Sequence, residues 1–497
     1  MGDAALSALN GMVSVQFFTS LLIGISVGFL IGLIPGLGGS VGLAIALPFI
    51  FGMDPIAGIA LLIGLSSVND TTCSYPAILI GVPGSGGSTA TVLDGYPMSK
   101  KGEGTRALGA SFSASMLGGI FGAAALLVVI LMARNVVGAL GSPELLMLTV
   151  LGLASVGVIV SGDALLGLAS AILGLMIGTV GSAPATAERR YDFGSLYLGD
   201  GFSIVIVTIG IFAVAEIIAF LVSGDAVAKA TRLTGSVWAG FRETWRHKSL
   251  VLRSSWLGTL MGSIPGLGGS VVDEMAYAMA RMSARDSREF GKGDVRGVIA
   301  PEAANNAKEG GGLIPTLILG IPSGASAAVL LGGLVLMGVT PGPPMLDRYL
   351  DVTLTVVWTL VIANIIATTL CLVFSKQVAR VTLVPGRILG PILIVVFFAA
   401  GYQNSAHFGD ILAILGIGLF GYLMKVVGWP RVPFVVGFVL AAPLERYLHL
   451  SMSRYHTEWF TRPLVLVFAA GIVFVTVVVP LYRHFRKSTD RGTKAYV

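Results

Sequence analysis

The chain has 497 residues, 55% of them hydrophobic and only 12% charged, with a formal net charge of +6. Soluble domains carry about 25% charged residues, so a soluble globular protein is excluded, and unalternating apolar runs exclude an outer-membrane barrel. The basic residues fall between apolar runs, where the positive-inside rule places them, so nucleic acid is not an expected partner and the lipid bilayer is.

The first apolar run, Met12–Leu33, has no basic region before it, and no removable signal peptide is expected. It leads into Ile34-Pro35-Gly36-Leu37-Gly38-Gly39-Ser40-Val41, where proline and clustered glycines must interrupt a helix. Val41–Phe51 and Ile56–Val68 are apolar again, separated by the turn Gly52–Pro55. A polar patch with Asn69 and Asp70 then precedes Pro76–Pro83 and a second break at Ser85, Gly86, Gly87, Ser88 and Thr89. Lys100, Lys101 and Arg106 mark a cytoplasmic loop. Four spans are expected after it: Ala107–Ala133, Pro143–Val160, Ala164–Val180 and Phe202–Val222. The basic loop Gly224–Arg253 follows and also reads as cytoplasmic.

The second half repeats the first. Ile264–Val271 reproduces Ile34–Val41 letter for letter, an offset of 230 residues (34 to 264). Pro315–Pro322 matches Pro76–Pro83 at an offset of 239 (76 to 315), which places an insertion in the basic loop Arg281–Arg296. In the first half the basic loop follows the second break, and in the second half it follows the first break. The two halves are therefore expected to enter the membrane from opposite sides. Further spans are read at Val352–Phe374, Ile388–Ala400, Ile411–Met424, Val432–Leu444 and Leu464–Tyr482, before a basic tail from Arg483. That tail should be cytoplasmic and the N-terminus periplasmic.

The expected fold is an all-α polytopic membrane protein with two inverted-topology repeats, residues 1–223 and 255–497, joined by a basic linker, 224–254. Broken helices or re-entrant hairpins at 35–40, 83–89, 265–270 and 322–326 meet at the membrane midplane. Broken backbone at that depth must be packed in protein or line a wet cavity, and paired breaks point to a transporter's binding site.

A helix restarting after glycine points unpaired N–H groups and its positive dipole end at the gap, which makes an anion site without an arginine. The candidate substrate-binding residues are Gly36, Gly38, Gly39 and Ser40; Ser85, Gly86, Ser88 and Thr89; Gly266, Gly268, Gly269 and Ser270; and Ser323, Gly324 and Ser326. Their small hydroxyls suit carboxylate oxygens. Asn305 and Asn306 can donate and accept, and either bridge substrate and cation or bond between helices. Asn69, Asp70, Glu302 and Glu309 are candidates for coupling a cation, Na⁺ or H⁺. Na⁺ is the only metal expected, and no other cofactor is. Glu216, inside an apolar run, is a proton relay or a structural hydrogen bond. Lys308 pairs with Glu309 or Glu302, or is solvated.

There is no phosphate loop for an ATPase and no His-Glu-x-x-His for a zinc protease. Tyr191-Asp192 and Gly291–Asp294 resemble aspartyl-protease motifs but lie in charged loops, so an enzyme is not expected. The rival reading is an ion or solute channel, which would conduct through a continuous pore instead of saturating.

At Leu33–Ser40, Leu93–Met98, Gly258–Gly269, Phe290–Gly293 and Pro301–Pro322 the chain resembles the large membrane subunit of the bacterial tripartite tricarboxylate transporter family. The resemblance implies an inner-membrane permease and secondary active symporter. It would work with a small membrane subunit and a periplasmic binding protein that delivers citrate or another organic acid, driven by a cation gradient. The chain departs from the family at Cys73–Pro76, at Asp273-Glu274 and at Lys308, where a small residue is usual.

Overall fold

The structure, a computed structural model, describes residues 2–34, 37–137, 140–160, 163–223, 236–267, 269–375, 377, 394–395, 398–399, 401–402 and 407–481. Gly36, Gly268, most of the expected span 388–400, the first part of the basic linker and the basic tail lie outside them. The chain is an all-α multi-pass membrane protein, with one short hairpin among the described residues. Seven helices among the described residues are long and apolar enough to cross a membrane.

The chain divides into two compact units, residues 1–134 with 205–422, and residues 135–204 with 423–497. The first draws on both expected halves. In it, α1 (Gly2–Met12) and α2 (Val15–Gly32) lead to the first break, and α3 (Gly39–Ala46) restarts after it. Asp54 caps α4 (Pro55–Thr72) by accepting from the N–H groups of Ile56 and Ala57, with Pro55 in the first turn. A bend at Cys73 separates α4 from α5 (Ser74–Leu79), and Gly81 takes a left-handed φ of +74° before Pro83. α6 (Thr91–Lys100) and α7 (Gly104–Val137) follow.

 The second half of the expected linker is helical and docked: α10 (Val237–Arg246) lies against α7 through a two-pronged Arg106–Glu243 ion pair of 2.6 and 3.0 Å. Gly109 and Gly240 let the two backbones touch.

α11 (Lys248–Gly262) ends at the second copy of the break, and α12 (Gly269–Ser283) restarts after it. α13 (Arg296–Leu313) runs into a π-helical turn, Ile314–Leu319, where Pro315 denies the ladder a donor. Gly320, at φ +70°, closes that turn before Pro322, and α14 (Ala325–Leu336) and α15 (Leu350–Val373) complete the region. Helices α8 (Ile204–Thr208) and α9 (Ala215–Ser223) flank a π-helical turn at Ile209–Val214, and this segment belongs to the same unit from Val205 onward. Glu216 lies in it, half-buried and partnered.

Two pairs of helices in this unit pack alike. Gly28 of α2 rests on the Leu65 carbonyl of α4, and Gly258 of α11 rests on the Ala304 carbonyl of α13. One turn on, Gly32 meets Thr72 and the Asn69 carbonyl, and Gly262 meets the Lys308 carbonyl. The glycines are 230 apart (28 to 258) and their partners 239 apart (65 to 304), the two offsets of the sequence repeat. Asn69 therefore corresponds to Lys308, and Asp70 to Glu309. α4 is the centre of the unit, with 94% of its apolar stretch buried.

In the other unit, α16 (Ser142–Val160) and α17 (Ala164–Gly178) pack with α18 (Arg431–Tyr455). Gly174 and Gly437 let α17 and α18 approach backbone to backbone. The buried Glu144 is paired with Arg462 at 2.7 Å. A hairpin pairs Gly181 with Arg190 and Ser182 with Arg189 in antiparallel register, and Tyr191 lies exposed just beyond it.

Candidate functional site

The four broken segments come together within the first unit. A methyl group on Gly38 would lie 3.8 Å from Ser85 Cβ, which places the first tip beside the second. One on Gly39 would lie 3.1 Å from Asn69 Oδ1 and 3.6 Å from Ser326 Oγ, which places it beside the fourth. One on Gly86 would lie 3.8 Å from the Ser270 nitrogen, and one on Gly269 would lie 3.2 Å from Gly87 Cα, so the second tip faces the third. The Gly266 N–H donates to the Ser323 carbonyl at 2.9 Å, which joins the third tip to the fourth. The tips thus close into a ring.

Local structure explains how each tip is held. Ser40, Ser270 and Ser326 are each the second residue of a restarting helix, α3, α12 and α14, and each is half-buried. The first N–H groups of such helices have no partner within the helix. The second tip is capped by its own side chains. Ser85 Oγ accepts from the Gly87 N–H at 3.2 Å, and Ser88 Oγ accepts from the Gly84 N–H at 3.0 Å. The Ser85 and Ser88 oxygens, candidates for the substrate, thus also serve the tip's own backbone, because short polar side chains bond to nearby backbone groups. Thr89 also donates back, to the Gly86 carbonyl at 3.3 Å. Gly324 is extended, and a methyl group there would meet nothing within 4 Å.

Behind the ring, α4 and α13 exchange polar contacts. Asn305 donates to the Asp70 carbonyl at 3.3 Å, and Ser66 donates to Glu309 Oε2 at 3.1 Å. By the 239-residue correspondence these join the same pair of positions from each side (66 to 305, 70 to 309), once through a backbone carbonyl and once through a side-chain carboxylate. Lys308 pairs with Asp70 at 3.3 Å, rather than with Glu302. Asn306 donates to Thr71 Oγ1 at 3.0 Å and to Asn364 Oδ1 at 2.8 Å, which ties α13 to α4 and α15. Asn69 is fully buried, and neither of its amide atoms has a partner; Asn305 Oδ1 is likewise buried and unpartnered.

Glu302 is fully buried and accepts from three hydroxyls: Thr91 at 2.6 Å, Ser74 at 2.7 Å and Ser115 at 2.9 Å. It ties α5, α6 and α7 to α13. Asp273 of α12, also fully buried, accepts from the Ala90 N–H at 3.3 Å with one oxygen and leaves the other unpartnered. Among the described residues, no group of three or more His, Cys, Asp or Glu side chains is arranged to hold a metal ion.

One part of this framework carries no sequence expectation of its own. Asp94 is fully buried on α6, and its Oδ1 accepts from the N–H groups of Gly291, Gly293 and Asp294 at 2.9, 2.7 and 2.8 Å. Its Oδ2 accepts from the Tyr277 hydroxyl at 2.8 Å. The loop of α12–α13 is thereby pinned to the helix that follows the second tip. Gly291 and Gly293 hold φ of +84° and +108°, which only glycine adopts without strain. Leu93–Met98 and Phe290–Gly293 each stand out in the sequence as family-like segments, but nothing in their spacing shows that they touch.

A family model described as the tripartite tricarboxylate transporter TctA family matches residues 18–436. The chain belongs to that family. It is 30% identical over 472 residues to an uncharacterized 52.8 kDa protein of the TAR-I ttuC′ 3′ region of Agrobacterium vitis, covering 94% of each chain. It is 29% identical over 236 residues to an uncharacterized protein of the TAR-II ttuC′ 3′ region of the same organism, covering 47% of this chain and 98% of that one. No solved structure matches it. This TctA-family chain is thus a multi-pass membrane protein of a transporter family, and the ring of tips is its candidate binding site.

Proposed function

We propose that the chain is the permease of a cation-coupled secondary transporter that imports small organic carboxylates, tricarboxylates or related acids, across the bacterial inner membrane. A periplasmic binding protein would deliver the acid, and a small membrane subunit would complete the complex. The two correspondingly packed halves act as inverted repeats that meet at the midplane, with the basic loops on the cytoplasmic side. The observation that carries this reading is the closed ring of four glycine- and serine-rich tips, three of them beginning helices. Backbone N–H groups at helix starts bind carboxylate oxygens, and membrane transporters place such starts at their anionic substrates. Directly behind the ring, Glu309 and Asn69 are the groups that would take the coupling Na⁺ or H⁺, and Asp70 beside them is paired with Lys308.

The test is uptake of radiolabelled citrate and related acids into liposomes holding the chain with its small subunit and binding protein. Saturable uptake that requires an imposed Na⁺ or H⁺ gradient supports the reading. Unsaturable flux, or conductance without a gradient, favours a channel and overturns it.

A further inference from the structure

Corresponding positions on α4 and α13 carry the same acidic character but different neighbours. Asp70 follows Asn69, whereas Glu309 follows Lys308. Lys308 Nζ lies 3.3 Å from Asp70 Oδ2, with the two side chains 18% and 12% exposed. The ammonium also lies 3.3 Å from where a methyl group on Gly269 would sit, so it stands against the third tip. A carboxylate in such a setting needs a positive partner, because an uncompensated buried charge is strongly destabilising. Lys308 is that partner. The groups beside it are those a free cation would use: Asn305, bonded to the Asp70 carbonyl through Nδ2, has its buried Oδ1 unpartnered. On the other side of the correspondence, Asn69 is buried with both amide atoms unpartnered.

We propose that Lys308 is a tethered counter-cation, whose ammonium occupies at Asp70 the place that a free monovalent cation would otherwise take. The chain then has one ion site fewer behind its ring than its acidic residues provide for. The consequence for coupling rests on the transport reading above; the occupancy itself is a property of the folded chain and is tested without transport.

The test compares the purified full chain with Lys308→Asn, which installs at that position the residue found at the corresponding one, and with Lys308→Asn/Asp70→Asn. Thermal midpoints are measured in NaCl and in N-methylglucamine chloride at equal ionic strength. Na⁺ should stabilise Lys308→Asn beyond any response of the wild type, with a shift that grows with the logarithm of Na⁺ concentration. Removing Asp70 as well should abolish that increment. Equal responses in wild type and Lys308→Asn, or an increment that survives in the double variant, overturn the proposal. If Lys308→Asn does not fold even in Na⁺, the double variant decides: recovery supports charge compensation, and continued failure shows that Lys308 acts by packing. In liposomes, Lys308→Asn uptake should fall about ten-fold or more when Na⁺ is removed, a modest share of what an uncompensated buried carboxylate costs. Absence of uptake in every protein, with the Na⁺ pattern of midpoints intact, would sink the transport reading and leave this one standing.

Discussion

Gly86 offers a substitution that separates the ring's chemistry from its folding. It is exposed at the crest of the second tip, and an added methyl group would meet only the Ser270 nitrogen, 3.8 Å away. Alanine in a compatible backbone stabilises by about 0.4–1 kcal/mol through the unfolded chain, so Gly86→Ala should melt at or slightly above the wild-type midpoint. The same methyl group stands over the N–H at the start of α12. A carboxylate denied that N–H loses a charge-assisted hydrogen bond of about 1.5–3 kcal/mol. At about 1.4 kcal/mol per factor of ten, that is roughly a ten- to 150-fold rise in the KM for uptake. The contrast is Gly87→Ala, whose methyl group runs into the Asn305 amide and should lower both midpoint and uptake. The assay is initial-rate uptake in liposomes beside thermal unfolding of the same preparation. A well-folded Gly86→Ala protein with wild-type KM would refute the assignment of the Ser270 N–H to the substrate.

Three further outcomes follow from the framework around the ring. Asp94→Asn keeps an acceptor for the Gly291, Gly293 and Asp294 N–H groups but loses its charge, and should cost about 2–3 kcal/mol; hydrogen exchange at 291–294 should speed up, and more so than in Tyr277→Phe. Gly28→Ala and Gly258→Ala drive a methyl group into the Leu65 and Ala304 carbonyls respectively; each should cost about 1–3 kcal/mol in thermal melts, as overpacked helix contacts do. Burial, reinforced by the charge of Arg296, lowers the pKa of His247. The unfolded chain then binds the proton more readily, so stability is held above about pH 6.5 and declines as pH falls below it. His247→Gln should flatten that decline in midpoints measured across the range.

The breaks were legible because proline and glycine act locally: a letter-for-letter repeat of Ile34–Val41 interrupts α2 and α11 wherever the chain folds. The helix start at Ala164 follows from apolar length and turn residues for the same reason, while the expected start at Val352 falls two residues inside α15, which begins at Leu350. Long-range partners were not legible. Ser74, Thr91 and Ser115 converge on Glu302 from three elements, and a serine in an apolar helix reads as a small packing residue until its partner is placed. Nor does spacing announce that the Ser85 and Ser88 oxygens each accept from a backbone N–H of their own tip. The compact units were hidden because the first one is assembled from two separated stretches of chain.

The ring and the layer behind it divide the chemistry between backbone and side chain. Main-chain N–H groups at helix starts present fixed partial charge without carrying a formal charge into the membrane, where each charged side chain is costly. On the proposed reading, such a surface would suit carboxylates of differing shape, since it has few side chains that must rearrange. Formal charges gather in the second layer, where Lys308 pairs with Asp70 and Ser66 donates to Glu309 across α4 and α13. Substitutions in the ring should therefore change which acids are taken and how tightly. Substitutions one layer back should change which ions are required. A ring variant that altered ion dependence while leaving substrate affinity untouched would contradict that division.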